Sequence, residues 1–139
     1  MIGIASDHGG YELKEELKKE FDLKDYGTYS LDSVDYPDYA FKVAEAIKNG
    51  EIEKGILVCT TGIGMSIAAN KVKGIRCAKV DTVEETKMTR LHNDANMIAI
   101  SGNNKEAIDI VKTFIETAFS NEERHLRRIN KIKEYEDEH

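Results

Sequence analysis

The sequence contains little cysteine, a single proline and no long apolar run. Its two cysteines, Cys59 and Cys77, are too few for a fold held together by disulfide bonds. No apolar stretch approaches the roughly 20 residues that a membrane-spanning helix needs. The basic flank and cleavage site of a signal peptide are missing after Met1, and linkers and internal repeats are absent. We therefore expect one domain over residues 1–139, in a cytoplasmic protein without membrane contact.

Positive charge is outnumbered by negative charge, with 20 Lys and Arg residues against 26 Asp and Glu residues and a net charge of −6. This balance disfavours nucleic-acid binding, which requires neutralisation of phosphates, so no nucleic-acid partner is expected. One short segment is basic instead, and it contains Arg124, His125, Arg127, Arg128, Lys131 and Lys133. Such a segment is either the solvated face of a helix or a binding site for a small anion, such as a phosphate monoester.

Short apolar runs alternate with amphipathic stretches along the whole chain. Strands are predicted at residues 1–5, 23–26, 55–59, 75–80 and 97–100, and helices are predicted between them and over 107–118 and 121–135. Residues 56–58 are continuously apolar, as in a strand that is buried on both faces. Strands that alternate with helices predict an α/β fold: a Rossmann-like three-layer α/β/α sandwich with a five-stranded parallel sheet and an extra C-terminal helix.

The first and third predicted strands end in polar and glycine-rich sequence. Residues 6–10 read Ser-Asp-His-Gly-Gly, and residues 59–64 read Cys-Thr-Thr-Gly-Ile-Gly. Ligands of open parallel sheets bind at the carboxyl ends of the strands, where the strand order reverses. These two loops are therefore the predicted position of the site. In the first loop, Asp7 and His8 could face a ligand, or Asp7 could serve as a helix cap.

The glycine-rich turn after Cys59 predicts an anion-binding loop, because such a turn directs backbone N–H groups at whatever lies above it. The same field would favour the Cys59 thiolate, although a buried structural cysteine is the alternative. A tyrosine-phosphatase loop is excluded, because Met65 stands where its arginine is required. A dinucleotide fingerprint is disfavoured by Ile67 in place of its third glycine, and no Gly-Lys-Ser/Thr follows as in a P-loop.

His92 lies directly before the last predicted strand. A histidine titrates near neutral pH and can move protons between oxygen atoms, but a surface or capping histidine is the plainer interpretation. A metal site of Cys59, His8 and His92 is disfavoured, because the spacings match no strong zinc pattern. We therefore expect no metal.

Five segments form a pattern that is more specific than any one of them. They are residues 4–10 (IASDHGG), 35–37 (DYP), 59–71 (CTTGIGMSIAANK), 92–96 (HNDAN) and 124–128 (RHLRR). In this order, over nearly the whole chain, they resemble the type B ribose-5-phosphate isomerase family, in the group that includes galactose-6-phosphate isomerase. The resemblance implies interconversion of ribose 5-phosphate and ribulose 5-phosphate, without metal or organic cofactor.

The resemblance also implies the roles of individual residues. Cys59 would be the base that moves a proton between C1 and C2, and His92 would be the acid that helps to open the furanose ring. Thr61 and Asp7 would lie near the ring oxygens. The enediolate would be stabilised by the backbone N–H groups of Thr60, Thr61, Gly62, Ile63 and Gly64, together with Asn93.

The implied phosphate site consists of His8, Arg124 and Arg128. Members of the family are homodimers or homotetramers whose site lies at a subunit interface, and the C-terminal arginines cross from the partner. The same arrangement is expected of this chain, with a small sugar phosphate as its ligand.

Two positions depart from the family pattern. Thr60 follows the cysteine where the family usually has glycine, so its side chain could crowd the loop or demand a different backbone angle. Asn103 stands where the family tends to have an arginine that helps to bind substrate. Two alternatives follow: isomerisation of a six-carbon sugar phosphate, such as allose or galactose 6-phosphate, or sugar-phosphate binding without catalysis.

Overall fold

The computed structural model describes residues 1–139 as five strands and six α-helices. The strands are β1 (Ile2–Ser6), β2 (Lys24–Asp25), β3 (Lys54–Cys59), β4 (Cys77–Lys79) and β5 (Met97–Ser101). The helices are α1 (Tyr11–Glu20), α2 (Tyr36–Lys48), α3 (Ile63–Ala69), α4 (Val83–Asn93), α5 (Ala107–Glu116) and α6 (Glu123–Glu138). A 3-10 turn at His8–Gly10 precedes α1.

All strand pairs are parallel, and the strand order is β2-β1-β3-β5-β4. The chain winds outward from β1 to β2, then returns to place β3 on the other side of β1. The strand order therefore reverses between β1 and β3, whose carboxyl ends carry the two loops singled out above. The predicted five-stranded parallel sheet and C-terminal helix are confirmed.

Each face of the sheet has its own apolar core, because successive side chains of a strand point to opposite faces. Leu57 contributes to the core beneath α2 and α3, whereas Ile56 and Val58 contribute to the core beneath α1 and α5. Burial of each such side chain stabilises the fold by about 1.5–3 kcal/mol. The continuous apolar run of β3 is thus explained by burial on both faces.

Strand β4 is shorter than predicted, since it begins at Cys77 rather than at residue 75. The backbone directly before β4 is bonded by the Asn96 side chain. Asn96 accepts from Arg76 N and donates to Gly74 O, at 2.8 Å each. On the outer edge of β4, the Asn70 amide donates to Cys77 O and accepts from Cys77 N, also at 2.8 Å. This side chain closes the edge as a further strand would. No helix of the structure is both long and apolar enough to cross a membrane.

Candidate active site

Cys59 ends β3 with its side chain 4% exposed, and its sulfur faces the glycine turn. The Sγ atom accepts a hydrogen bond from Gly62 N at 3.1 Å. Gly62 has φ of +83°, and a Cβ there would lie 3.1–3.2 Å from the main chain of Ala99 and Ile100. Only glycine fits both this backbone conformation and this space. The next N–H, of Ile63, is bonded to Thr61 Oγ1 at 3.2 Å, and α3 begins there.

Thr60 occupies an ordinary backbone conformation, because the only non-glycine residues with positive φ are Asp94 and Asn121. The change of backbone angle considered for this position therefore does not occur. Its side chain lies against the first loop, where a Cβ added at Gly9 would overlap Thr60 Oγ1. The absence of a side chain at Gly9 thus makes room for the threonine.

Asp7 is buried and caps the turn that follows β1. Its Oδ1 accepts from Gly9 N at 2.9 Å and from Gly10 N at 3.1 Å. The capping interpretation of Asp7 is confirmed, and its position beside the Cys59 loop follows from the pairing of β1 with β3. The carboxylate fixes the loop that carries His8.

His8 is half-buried, and its Nδ1 accepts a hydrogen bond from Val34 N at 3.2 Å. In the neutral ring the proton therefore lies on Nε2, which is free to donate to a ligand. Val34 belongs to the loop of residues 27–35, and a partly buried ion pair holds the start of this loop. Lys14 Nζ lies 2.6 Å from Asp25 Oδ2, and Asp25 Oδ1 accepts from Gly27 N at 2.8 Å.

The Asp25 carboxylate of this ion pair is bonded by two lysines. Lys14 is fully buried, and Lys18 also bonds Asp25 Oδ2, at 2.7 Å. Burial alone would raise the pKa of Asp25, but the hydrogen bonds from Lys14 and Lys18 outweigh it and hold the pKa below its ordinary value. The loop over His8 is thereby anchored to α1.

Asn103 lies at the same edge of the sheet, in the turn after β5. Gly102 N donates to Cys59 O at 2.8 Å, and Ser101 Oγ donates to Thr60 O at 2.8 Å. These bonds join the turn to the Cys59 loop. The exposed Asn103 side chain brings an amide to a position where the family pattern has a cation. We call this whole region the cysteine edge; its members are Asp7, His8, Cys59, Thr60, Thr61, Gly62, Ile63, Gly64 and Asn103.

The remaining predicted residues lie at the opposite edge. Helix α4 runs antiparallel to the strands and returns the chain to the start of β5, so its last turn, with His92 and Asn93, lies at the amino ends of the strands. Nearby, Gly55 N at the start of β3 donates to Asn96 O at 2.9 Å. We call this region the histidine edge; its members are His92, Asn93, Arg124 and Arg128.

Helix α6 adds its basic side chains to the histidine edge. The ring of His125 packs against that of His92, with centroids 4.4 Å apart and planes inclined by 33°. Arg124 and Arg128 are exposed on the same helix. The basic segment thus combines a solvated face with a buried histidine that touches a candidate catalytic residue.

The two edges of one chain cannot act on the same atom of a ligand. Strand β5, from Met97 to Ser101, separates them, and four residue steps in a parallel strand span about 13 Å. General acids and bases work over roughly 3 Å. The fold therefore brings together the cysteine edge and leaves His92, Asn93, Arg124 and Arg128 apart from it.

Two functional features were missed by sequence reasoning. His125 was grouped with the exposed basic residues, although its spacing of four from the buried Ile129 places it on the apolar side of α6. The Val34 N–H that orients His8 belongs to the backbone, so no residue type signals it. No group of three His, Cys, Asp or Glu side chains is arranged to hold a metal ion.

Comparison with known proteins shows the family to which this chain belongs. A family model described as Ribose/Galactose Isomerase matches residues 2–132. The putative sugar phosphate isomerase YwlF of Bacillus subtilis is 47% identical, over 98% of this chain and 97% of its own length.

Solved structures are similar over almost their full length. Ribose-5-phosphate isomerase B of Clostridium thermocellum has a TM-score of 0.92 and 47% identity, covering 99% of this chain and 97% of that one. The Mycoplasma genitalium ribose-5-phosphate isomerase B with bound ribulose-5-phosphate has a TM-score of 0.91 and 41% identity, with coverage of 99% and 97%. With a fold that superimposes on these structures and a family match over residues 2–132, this chain belongs to the ribose/galactose isomerase family.

Proposed function

We propose that this chain interconverts ribose 5-phosphate and ribulose 5-phosphate through an enediolate intermediate. The observation that carries the proposal is the hydrogen bond from Gly62 N–H to Cys59 Sγ, since it shows the thiol facing the glycine turn. The solved Mycoplasma genitalium relative, 41% identical, holds ribulose-5-phosphate.

The proton transfer is assigned to Cys59. Its thiolate takes the proton from C2 of the open-chain aldose, and the electron pair moves to form the enediolate with charge on O1. A proton passes from O2 to O1, and the thiol returns its proton to C1, which leaves the carbonyl at C2. Backbone donors of the turn stabilise the enediolate oxygen, and each such donor contributes about 3–4 kcal/mol in comparable oxyanion sites. Thr61 Oγ1 fixes the start of this turn.

Ring opening requires a second group, which protonates the ring oxygen and accepts the proton from O1. We assign this role to His92. The phosphate is bound by the His8 Nε2–H together with Arg124 and Arg128, whose planar guanidinium groups bond two phosphate oxygens at once. Asn93 adds an amide beside the enediolate.

Because the edges lie about 13 Å apart within one chain, a complete site needs two copies. A two-fold axis that places the histidine edge of one copy over the cysteine edge of the other completes two sites at once. Exposed apolar side chains lie beside both edges: Ile63 and Ile67 on α3 are 53% and 57% exposed, and Leu126 and Ile132 on α6 are half exposed. Their burial in a homodimer, or a homotetramer built from it, would stabilise the pairing.

A coupled assay with ribose 5-phosphate beside allose 6-phosphate and galactose 6-phosphate tests the substrate. We expect turnover of ribose 5-phosphate with the highest kcat/KM. A preference for a six-carbon substrate would trace to the neutral Asn103 and replace the pentose assignment. Binding of all three without turnover would contradict the enzymatic proposal.

A further inference from the structure

His125 is a buried titratable group that the proposed reaction does not use. Its side chain is 5% exposed, whereas Arg124, Arg127 and Arg128 on the same helix are exposed. Burial of an imidazole costs free energy unless the ring is hydrogen-bonded, so the solvated basic face of α6 does not account for a buried histidine. The contacts of His125 account for its burial instead.

Those contacts join α6 to α4. Beyond the His92 ring at 4.4 Å, His125 Nδ1 lies 2.8 Å from Ser120 Oγ. Ser120 N in turn donates to Leu91 O at 3.2 Å, directly before His92 in the chain. The buried Arg90 secures the same turn by donating to Thr117 O at 2.9 Å. His92 is thus fixed through its backbone on one side and through its ring on the other.

The charges around His125 oppose its protonation. Burial lowers its pKa, and His92 from α4 and Arg124 and Arg128 from α6 act in the same direction, while Glu122 at 3.4 Å opposes them. Two imidazolium rings in contact would repel each other. The His125 ring is therefore held neutral against His92, which is the more exposed of the two rings.

We propose that His125 is a positioning residue for His92: its neutral, packed ring fixes the plane of the His92 imidazole. The catalytic consequence rests on the proposed function, in which His92 opens the sugar ring.

Two substitutions separate the ring contact from the hydrogen bond. His125→Phe keeps the ring face against His92 and loses the bond to Ser120, whereas His125→Asn keeps a polar group near Ser120 and loses the ring face. We expect His125→Asn to lower kcat about tenfold through misplacement of His92. KM should change by less than about twofold, because the arginines hold the phosphate. His125→Phe should retain most of kcat.

A merely structural role would give a different pattern. It would lower the melting temperature and the active fraction without separating kcat from KM, and it would leave the pH profile of kcat unchanged in shape. We expect His125→Asn to move the limb of that profile that reports His92. His139→Asn removes an imidazole from the end of the same helix, where it stacks on Tyr135, and should change neither quantity.

A double-mutant cycle tests whether His125 acts through His92. His92→Asn with His125→Asn should be no slower than His92→Asn alone, since the positioned ring is already gone. Additive losses would overturn the proposal.

Titration of the histidine side chains by NMR in the unliganded wild-type protein needs neither a folded variant nor a substrate. We expect the pKa of His125 to lie below the ordinary value for histidine, because burial, His92, Arg124 and Arg128 all oppose its charge. A His125 pKa at or above the ordinary value would overturn the inference even if the isomerase activity were confirmed. Conversely, a lowered His125 pKa would stand even if the substrate proved to be a different sugar phosphate.

Discussion

The cysteine edge and the histidine edge are built in different ways. At the cysteine edge the functional groups are a buried sulfur and backbone N–H groups, held by Gly62 and by a capping carboxylate. At the histidine edge they are long or aromatic side chains on α4 and α6, and the two arginines are exposed. The difference teaches what the proposed reaction requires: its proton-transfer geometry would be set within one chain, while ring opening and the arginine contacts to phosphate would need surfaces that a second copy brings near.

The largest effect is expected at Cys59. Cys59→Ala should abolish isomerisation, by at least about 10³-fold, because no other side chain at this edge replaces the base. Binding of a phosphate-bearing substrate analogue should persist, since the thiol acts on carbon. Enzyme kinetics and calorimetry check the two halves separately.

Cys77→Ala is the matched control. Burial raises the pKa of the Cys77 thiol to about 12, and it lies on an edge strand away from the turn. Its replacement should leave kcat unchanged. Loss of analogue binding by Cys59→Ala with turnover intact would reverse the assignment of the two edges.

The second effect concerns the turn itself. Gly62→Ala should destabilise the protein by ~2–3 kcal/mol, because a side chain is strained at positive φ and meets the main chain of β5. It should also reduce kcat sharply by moving the N–H that bonds Cys59. Denaturant unfolding and kinetics measure both.

Gly50 provides the comparison for this change. Its φ is +79° and nothing lies within 4 Å of a Cβ there. Gly50→Ala should cost about 1 kcal/mol of unfolding free energy and leave activity intact. Equal losses of activity in the two variants would show that the turn has no special role.

The third effect belongs to the histidine edge. Arg128→Gln should raise KM about tenfold with kcat little changed, because it removes a bidentate phosphate contact and leaves proton transfer alone. Arg127→Gln, which loses only an exposed pair with Glu123 at 2.9 Å, is the control and should change neither constant. An unchanged KM for Arg128→Gln would remove it from the phosphate site.

The smallest effect is a pH dependence of stability. The pKa of Asp25 is lower in the folded chain than in the unfolded one, so its contribution to stability is present above the unfolded value and is lost as the pH falls through the folded value. Asp25→Asn should therefore be less stable than wild type at neutral pH, and the difference should shrink in acid. Urea unfolding at several pH values measures it. A difference independent of pH would contradict the ion-pair account.

Much of this arrangement could be predicted from the sequence. The apolar run of β3 and the glycine turn after it specified both the parallel sheet and the loop that Cys59 faces. The order of the elements also predicts the separation of His92 from Cys59. Cys59 ends a strand and so lies at the carboxyl edge of the sheet, whereas His92 precedes a strand and must lie at the amino edge.

Other features depend on tertiary contacts that no local pattern encodes. Thr60 is accommodated because Gly9, 51 positions earlier, lies against it. The orientation of His8 depends on a backbone N–H in a loop without regular structure. The contact between His92 and His125 needs the chain to fold α6 back onto α4.

Complementation between two inactive variants tests the shared site most directly. Chains with Cys59→Ala and chains with His92→Asn, co-expressed with different affinity tags and purified as mixed dimers, should regain about half of the wild-type activity per dimer, because one of the two sites is intact. Mixed dimers of Cys59→Ala with Gly62→Ala, both altered at the cysteine edge, should show no more than the residual activity of Gly62→Ala. Failure of the first pair to recover activity, in dimers shown to contain both chains, would contradict a site completed by the partner.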